Sequence, residues 1–116
     1  DRASLYSTKM LYDGVFSKIG IPIVFDSHHH ELGPQDLDYH DAFYLARSTW
    51  DKAGIKQICH HSNSKKRYED SSVRNSAHSD WYYTPFENYE QPVDVVLECK
   101  MKEQALLKYR KDYFCT

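Results

Sequence analysis

The chain has 116 residues, of which 41% are hydrophobic and 28% charged, a composition typical of one folded domain and not of a disordered segment. Its formal net charge of -2 argues against a protein that binds nucleic acid mainly through a strong positive field. Any contact with nucleic acid is therefore expected to be local.

The cysteine pattern and the apolar runs bear on the compartment. Cys59, Cys99 and Cys115 form no Cys-x-x-Cys pair, which predicts reduced thiols and neither a disulfide framework nor a structural zinc knuckle. No apolar run approaches the ~18 residues of a membrane span, and no signal-peptide pattern opens the chain. We therefore expect an intracellular protein, cytoplasmic or nuclear, that is not secreted and has no membrane partner.

Helical and strand patterns alternate along the chain. In chain order we predict a helix capped by Ser7 and ending at Gly20, a strand over 21–25, a helix over 37–52, a strand over 55–59, a loop over 63–90, a strand over 93–97 and a helix over 101–114. Such alternation implies a parallel sheet with right-handed crossovers, either doubly wound or barrel-like.

The spacing of the predicted strands suggests part of a larger barrel. Strands begin roughly every 35 to 40 residues, close to the length of a strand-plus-helix unit, and a complete (β/α)₈ barrel needs about 250 residues. The single domain 1–116 would thus supply only the C-terminal strand-helix units. Since the sequence begins with Asp1 and not Met, we expect a fragment of a longer product. The segment 63–90 is expected to form a long loop over the active face, with a short helix near Pro85.

Side chains that bind metals or move protons follow each predicted strand. They are Asp26-Ser27-His28-His29-His30 after the first, His60-His61-Ser62 after the second and Glu98-Cys99-Lys100 after the third. Active sites of parallel α/β folds are built at this edge of the sheet. Strand alternation places Glu98 on the face of Asp94 and Val96, so neighbouring strands can present an imidazole and a carboxylate to one point.

Mixed imidazole and carboxylate ligands suit a divalent ion. Mn²⁺, Zn²⁺, Mg²⁺ and Fe²⁺ all fit such a set, and a site with open positions can activate water for phosphodiester hydrolysis. Alternatives remain for each residue taken singly. A lone His or Glu at a strand end is commonly a hydrogen-bonding loop residue, and three consecutive histidines can be left by an affinity tag, although tags are terminal and longer.

The run from Gly20 to His30 resembles a segment of the ultraviolet-damage endonucleases in which a strand ends in Asp-x-His-His-His. Further similarities follow in the same order: Thr49-Trp50, His60-His61-Ser62, His78-Ser79-Asp80 and the run from Asp94 to Lys100. The resemblance covers nearly the whole chain. It implies a (β/α) TIM-barrel fold and a metal-dependent DNA repair endonuclease that nicks the phosphodiester 5′ to ultraviolet photoproducts.

The resemblance also implies site residues. Asp26, His29, His60, His78 and Glu98 would bind a cluster of divalent ions, with Mn²⁺ the first choice, and all of them except His78 would be the catalytic residues. The chain departs from the family pattern at Ile58, where a Lys usually lies two residues before the strand-end His. The opening Asp1-Arg2 resembles the point just after a family metal-binding Glu, so further ligands would lie upstream.

Contacts with ultraviolet-damaged double-stranded DNA are predicted in the long loop. Lys65, Lys66 and Arg67 could meet phosphates, and Tyr82, with its neighbours Trp81 and Tyr83, could stack on an unpaired base. A solvated loop with rings packed at its rim is the alternative.

Two other functional hypotheses stay open on the sequence. The first is a divalent-metal sugar isomerase of the related barrel superfamily, which also uses His and carboxylate sites at strand ends. The second is a catalytically inactive partial barrel that folds only with its missing N-terminal part or by self-association.

Overall fold

A three-stranded parallel sheet, whose strands lie side by side in chain order, organises the fold, as seen in a computed structural model that describes residues 5–114. Asp1-Arg2 and Cys115 lie outside the described residues. The elements are α1 Thr8–Leu11, a π-helical turn Tyr12–Phe16, α2 Ser17–Ile19, β1 Phe25–Asp26, α3 Ser27–Leu32, α4 Tyr39–Ala53, β2 Gln57–His61, α5 Lys65–Tyr68, β3 Val93–Leu97 and α6 Lys102–Tyr113. The predicted α/β class with a parallel sheet is confirmed.

The register of the sheet divides its side chains into two faces. Asp26 lies opposite His60, and His60 lies opposite Val96, so these three share one face. Phe25 lies opposite Cys59, and both are fully buried on the other face. The predicted metal ligands Asp26 and His60 therefore lie on the face that is turned away from the core.

Helix α4 covers the buried face of the sheet. Its Ala42, Phe43 and Ala46 pack with Phe25 and Cys59 into the main core. The helix begins at Asp38, whose carboxylate accepts a hydrogen bond from the backbone N–H of Asp41, and it ends at Gly54 with a φ of 71°. A residue with a side chain rarely adopts this left-handed conformation, so Gly54 ends the helix within one residue of the predicted end at 52.

Helix α6 packs beside the third strand. Ala105 and Tyr109 form a second buried cluster with Tyr82, and Leu97 at the end of β3 packs against it. The hydroxyl of Tyr109 accepts a hydrogen bond from the backbone N–H of Phe86. This helix thus fixes the end of the long loop against the sheet.

The first two predicted strands differ from those observed. Strand β1 contains only Phe25 and Asp26, because the backbone N–H of Ile23 donates to the Thr49 hydroxyl and its carbonyl accepts from the Trp50 indole. Side chains of α4 thus take hydrogen bonds that a neighbouring strand would otherwise supply. The second strand is displaced to 57–61, because the backbone N–H of Ile55 still closes the turn after α4.

The loop 63–90 contains more order than predicted, although not where a helix was expected. A short helix over 65–68 is capped by the Ser64 hydroxyl, which accepts from the backbone N–H of Arg67. The prediction of a helix near Pro85 is wrong, because residues 81–88 contain only bends and irregular structure. Pro85 lacks an N–H donor, and Phe86 gives its own to Tyr109 instead of to a helical carbonyl.

Two further sequence predictions can be compared with residues 5–114. Cys59 and Cys99 are free thiols. No helix in this range has both the length and the apolarity needed to cross a lipid bilayer.

Candidate metal centre

Three predicted metal ligands converge at the carboxyl edge of the sheet. Asp26, His60 and Glu98 come from three adjacent strand ends, and each offers one ligand atom within 4.8 Å of the others. His60 Nδ1 lies 2.8 Å from Glu98 Oε1 and 3.8 Å from Asp26 Oδ2. All three side chains are partly buried, so a cation there would exchange only part of its water for protein ligands.

Asp26 is held in place by the helix that follows it. Its Oδ1 accepts hydrogen bonds of 2.9 Å from the backbone N–H groups of both His28 and His29, so Asp26 is the N-cap of α3. The other oxygen, Oδ2, is the one that approaches His60 and lies 3.9 Å from His29 Nε2. One carboxylate thus both starts the helix and faces the cluster.

The other two predicted ligands lie near the cluster. His29 is one helical turn from Asp26, and its side chain is 40% exposed. His78 comes from the long loop and lines a cavity of about 620 Å³ together with Glu98. Burial lowers the pKa of His78, and the neighbouring His28 lowers it further, although Glu98 and Asp26 oppose the shift. The neutral form of imidazole is the one that binds metals.

A buried histidine that the sequence patterns did not single out lies behind the cluster. His61 Nδ1 is 2.7 Å from the Ser27 hydroxyl, and its Nε2 is 2.9 Å from the Thr84 carbonyl. A carbonyl can only accept, so Nε2 carries the proton and Ser27 donates to Nδ1. Burial lowers the pKa of His61, although the Thr84 carbonyl opposes the shift. These bonds tie the ends of β1 and β2 to the long loop, next to Asp26 and His60.

The donor set fits a divalent cation. The ligand atoms of two carboxylates and one imidazole lie within 4.8 Å of one another. The two negative charges repel each other, and this repulsion destabilises the folded state unless a cation lies between them. Nitrogen and oxygen donors together suit Mn²⁺, Fe²⁺ or Zn²⁺, and the oxygen donors also suit Mg²⁺. Ile58, at the position of the family's lysine, shares the face of His60 but offers no donor.

The basic residues predicted to contact DNA lie on or next to α5. Lys65 is paired with Asp80 at 3.1 Å and with Glu69 at 3.5 Å, and Arg67 is paired with Glu31 at 2.9 Å. Lys66 is exposed. Lys65 and Arg67 both have carboxylate partners, and Arg67 is the more exposed of the two, so Lys66 and then Arg67 are the better placed for phosphates.

The predicted stacking role of Tyr82 conflicts with its burial. Its side chain is only 7% exposed, and its ring packs edge-on against Tyr109 at 5.1 Å. The following residue, Tyr83, is exposed and stacks on Tyr68 with ring centroids 4.9 Å apart. Adjacent residues of this extended segment point to opposite sides, and the sequence alone did not show which ring faces the core.

A family model described as UV-endonuclease UvdE matches residues 3–114. The chain belongs to this family. The match covers nearly the whole chain, as the motifs predicted. The cluster of Asp26, His60 and Glu98 lies within the matched residues.

Individual relatives agree with the family match. The chain is 33% identical over 101 residues to a UV-damage endonuclease of Schizosaccharomyces pombe, covering 83% of this chain and 17% of the relative. It is 33% identical over 98 residues to a UV DNA damage endonuclease of Bacillus velezensis, covering 77% and 29% respectively. A UV DNA damage endonuclease of Nostoc is 32% identical over 111 residues, covering 90% and 32%. The chain therefore spans about a third or less of these relatives.

A solved structure shares the fold. The crystal structure of SacUVDE superposes with a TM-score of 0.71 at 24% identity, covering 92% of this chain and 35% of that chain. This match supports the prediction that the described residues form part of a parallel TIM-barrel-type fold. Both the family model and the named relatives are UV endonucleases, so the comparisons support the family that the sequence motifs predicted.

Proposed function

We propose that the protein is a metal-dependent DNA repair endonuclease that nicks the phosphodiester on the 5′ side of ultraviolet photoproducts, and that this chain supplies one side of its metal centre. The convergence of Asp26, His60 and Glu98 at three neighbouring strand ends carries the proposal. The family match and the relatives named UV endonucleases support the choice of reaction.

Each residue has a separate part in this proposal. Asp26 Oδ2, His60 and Glu98 would hold a divalent ion, with His29 and His78 adding donors from α3 and the long loop. We propose Mn²⁺ first, because the set combines nitrogen and oxygen donors, with Zn²⁺, Mg²⁺ and Fe²⁺ as alternatives. The bound ion would supply Lewis-acid assistance to phosphodiester hydrolysis.

The DNA would lie across the face that carries α5. Lys66 and Arg67 are exposed, and Arg67 also lies 5.1 Å from the ring of Tyr68. Phosphate contacts from such residues position a duplex without reading its sequence. With a net charge of only -2 in the chain, these few local cations would have to provide the attraction.

The test uses the full-length protein, Mn²⁺ and supercoiled plasmid with or without ultraviolet irradiation. The proposal predicts relaxation of the irradiated plasmid alone, and mapping of the nick to the 5′ side of the photoproduct. His60→Ala and Glu98→Ala are expected to abolish nicking, whereas the control Asp94→Ala removes a carboxylate from the same face of the sheet without touching the cluster. Equal relaxation of both plasmids, or full activity in both ligand variants, would refute the proposal.

The 116 residues by themselves are expected to nick irradiated duplex poorly or not at all. The chain spans only 17% to 32% of the relatives described above, and the cluster occupies one side of an open sheet. Residues from the remaining part of a longer protein, or from another copy, would then complete the site. Robust lesion-specific nicking by these residues alone with Mn²⁺ would overturn this expectation.

A further inference from the structure

Two histidine rings meet beside the metal centre, and each has a buried nitrogen without a hydrogen-bond partner. His28 is fully buried, and its ring centroid lies 5.2 Å from that of His78, with the planes inclined by 51°. Within residues 5–114, Nδ1 of both rings is buried and unpartnered. Leaving such an atom unsatisfied costs about 1–3 kcal/mol, so two in adjacent rings call for a common explanation.

The surroundings of His28 determine what its Nδ1 can do. The other nitrogen, Nε2, lies 3.4 Å from the carbonyl oxygen of Ser76. A carbonyl only accepts, so Nε2 must carry the proton in this contact. In a neutral imidazole the remaining nitrogen is then a lone-pair acceptor. His28 therefore presents an acceptor, buried and unused, beside the ring of His78.

The side chain of His78 has one buried ring nitrogen, Nδ1, and it also lines a cavity. Its backbone forms an antiparallel bridge with Ser64, which anchors the loop at this point. The half-buried side chain lines the 620 Å³ cavity together with Glu98, while Nδ1 lies on the buried side. A proton on Nδ1 would make this atom the donor that the acceptor of His28 lacks.

We propose that His28 is a positioning residue for His78: its Nδ1 accepts the Nδ1–H of His78 and so leaves Nε2 of His78 as the unprotonated nitrogen available to a divalent cation beside Glu98. One hydrogen bond between the two adjacent rings would satisfy both buried nitrogens. Histidines that bind metals almost always pass their second N–H to an acceptor, which fixes the tautomer and the ring orientation. The assignment of the cation rests on the proposed function, whereas the hydrogen-bond pairing rests on the buried nitrogens.

Two substitutions separate positioning from simple core packing. In His28→Asn the side-chain oxygen lies near the former Nδ1, so the acceptor for His78 is retained while the bond to Ser76 is lost. In His28→Gln the amide nitrogen lies near the former Nε2, so the bond to Ser76 is retained while the acceptor is lost. A purely structural role predicts that the larger glutamine, which keeps the Ser76 contact, is at least as well tolerated as asparagine.

The first readout is the tautomer of His78 in the full-length protein without metal. Selective ¹⁵N labelling of histidine gives distinct nitrogen shifts for the two tautomers, and His78→Gln identifies the signal. We expect the Nδ1–H tautomer in the unsubstituted protein and in His28→Asn, and a mixture or the Nε2–H tautomer in His28→Gln. The Nε2–H tautomer in the unsubstituted protein would overturn the proposal without any variant being needed.

The second readout is Mn²⁺ affinity, measured from the electron paramagnetic resonance signal of free Mn²⁺. His28→Gln is expected to weaken binding by about 10–100-fold, with His28→Asn close to the unsubstituted protein. Equal affinities of the two variants would overturn the proposal. If the tautomer and Mn²⁺ results hold but irradiated plasmid is not nicked, the nuclease function fails and the positioning role stands. If irradiated plasmid is nicked but His28→Gln leaves the tautomer unchanged, the positioning role fails and the nuclease function stands.

Discussion

Replacing Glu98 by Gln should change stability in opposite directions with and without metal. The substitution keeps the shape of the side chain and an oxygen that can accept from His60, but it removes one negative charge from the cluster. Without a cation, Asp26 and Glu98 repel each other. With a cation, both carboxylates are needed to hold it.

The magnitude without metal follows from the geometry. Two unit charges 4.8 Å apart, the upper bound on distances between the ligand atoms of the cluster, repel by about 3–4 kcal/mol at an effective dielectric constant of 20. The Glu98 side chain is 39% exposed, so solvent screens much of this energy. Discounting it to the range of exposed pairs leaves about 1 kcal/mol. In EDTA at pH 8, where imidazoles are ordinarily neutral, Glu98→Gln should therefore be about 1 kcal/mol more stable than the unsubstituted protein.

The magnitude with metal follows from ligand linkage. At a Mn²⁺ concentration 100 times its dissociation constant, the unsubstituted protein gains about 2.7 kcal/mol. Residues that only hydrogen-bond to a metal ligand typically change metal affinity by about 10–100-fold when they are replaced. For loss of a carboxylate ligand itself we take the upper end of that range, a Mn²⁺ affinity about 100-fold weaker. The gain at the same concentration then falls to about 0.4 kcal/mol. In Mn²⁺ the variant should thus be about 1 kcal/mol less stable than the unsubstituted protein.

The assay is chemical or thermal unfolding of the full-length protein in EDTA and in MnCl₂. Asp94→Asn is the matched control, because it removes the same charge from β3 at a side chain that is 65% exposed and paired with Lys56. It should leave the Mn²⁺-dependent gain unchanged. Equal Mn²⁺ stabilisation of the unsubstituted protein and Glu98→Gln would show that Glu98 is not a ligand. A variant less stable in EDTA would show that the repulsion argument is wrong.

Three further predictions concern the supports of the site. Phe25→Ala should destabilise the protein by about 3–5 kcal/mol in urea unfolding, because its fully buried ring is the centre of the main core, whereas Phe114→Ala at an exposed ring should cost less than about 0.5 kcal/mol. Because burial holds the pKa of His61 below its ordinary value of about 6.5, the contribution of neutral His61 to stability in EDTA is complete above pH 6.5 and is lost progressively as the pH falls below it. The Glu69 carboxylate accepts hydrogen bonds from the backbone N–H groups of Asp80 and Trp81, so Glu69→Gln should accelerate hydrogen exchange at these two amides.

Each of these has an outcome that would contradict it. Phe25→Ala as stable as Phe114→Ala would mean that the β1 core is not formed as described. A dependence of stability on pH between pH 7 and 5.5 that is the same in His61→Gln would exclude a buried neutral His61. For Glu69, the exposed Glu103→Gln is the control, and equal exchange in both variants would mean that the carboxylate does not order the loop.

The order of the main elements and the meeting of three predicted ligands at one edge of the sheet were predictable because they depend on local patterns. Gly20 and Gly54 both adopt positive φ and end helices where predicted, and the third strand covers the predicted range. Parallel pairing then brings strand ends together, which is why Asp26, His60 and Glu98 could be expected to converge.

The features that the sequence did not reveal depend on distant contacts. Helix α3 begins inside the histidine motif because Asp26 is its N-cap. From the sequence we interpreted Asp26 only as a metal ligand and therefore did not predict this helix. The shortening of β1 depends on Thr49 and Trp50, more than 20 residues away. Burial of Tyr82 depends on Tyr109, which lies on the last helix. Such contacts leave no local period in the sequence.

The two oxygens of the Asp26 carboxylate have different partners, and this limits how Asp26 could coordinate an ion. Because Oδ1 is committed to the first turn of α3, only Oδ2 remains for an ion, so coordination by Asp26 should be monodentate. Chelation through both oxygens would require the start of the helix to unravel. The same anchoring means that the side chain cannot swing into solvent when the ion dissociates, so an incoming ion would find this ligand already oriented and would spend little of its binding energy on ordering it.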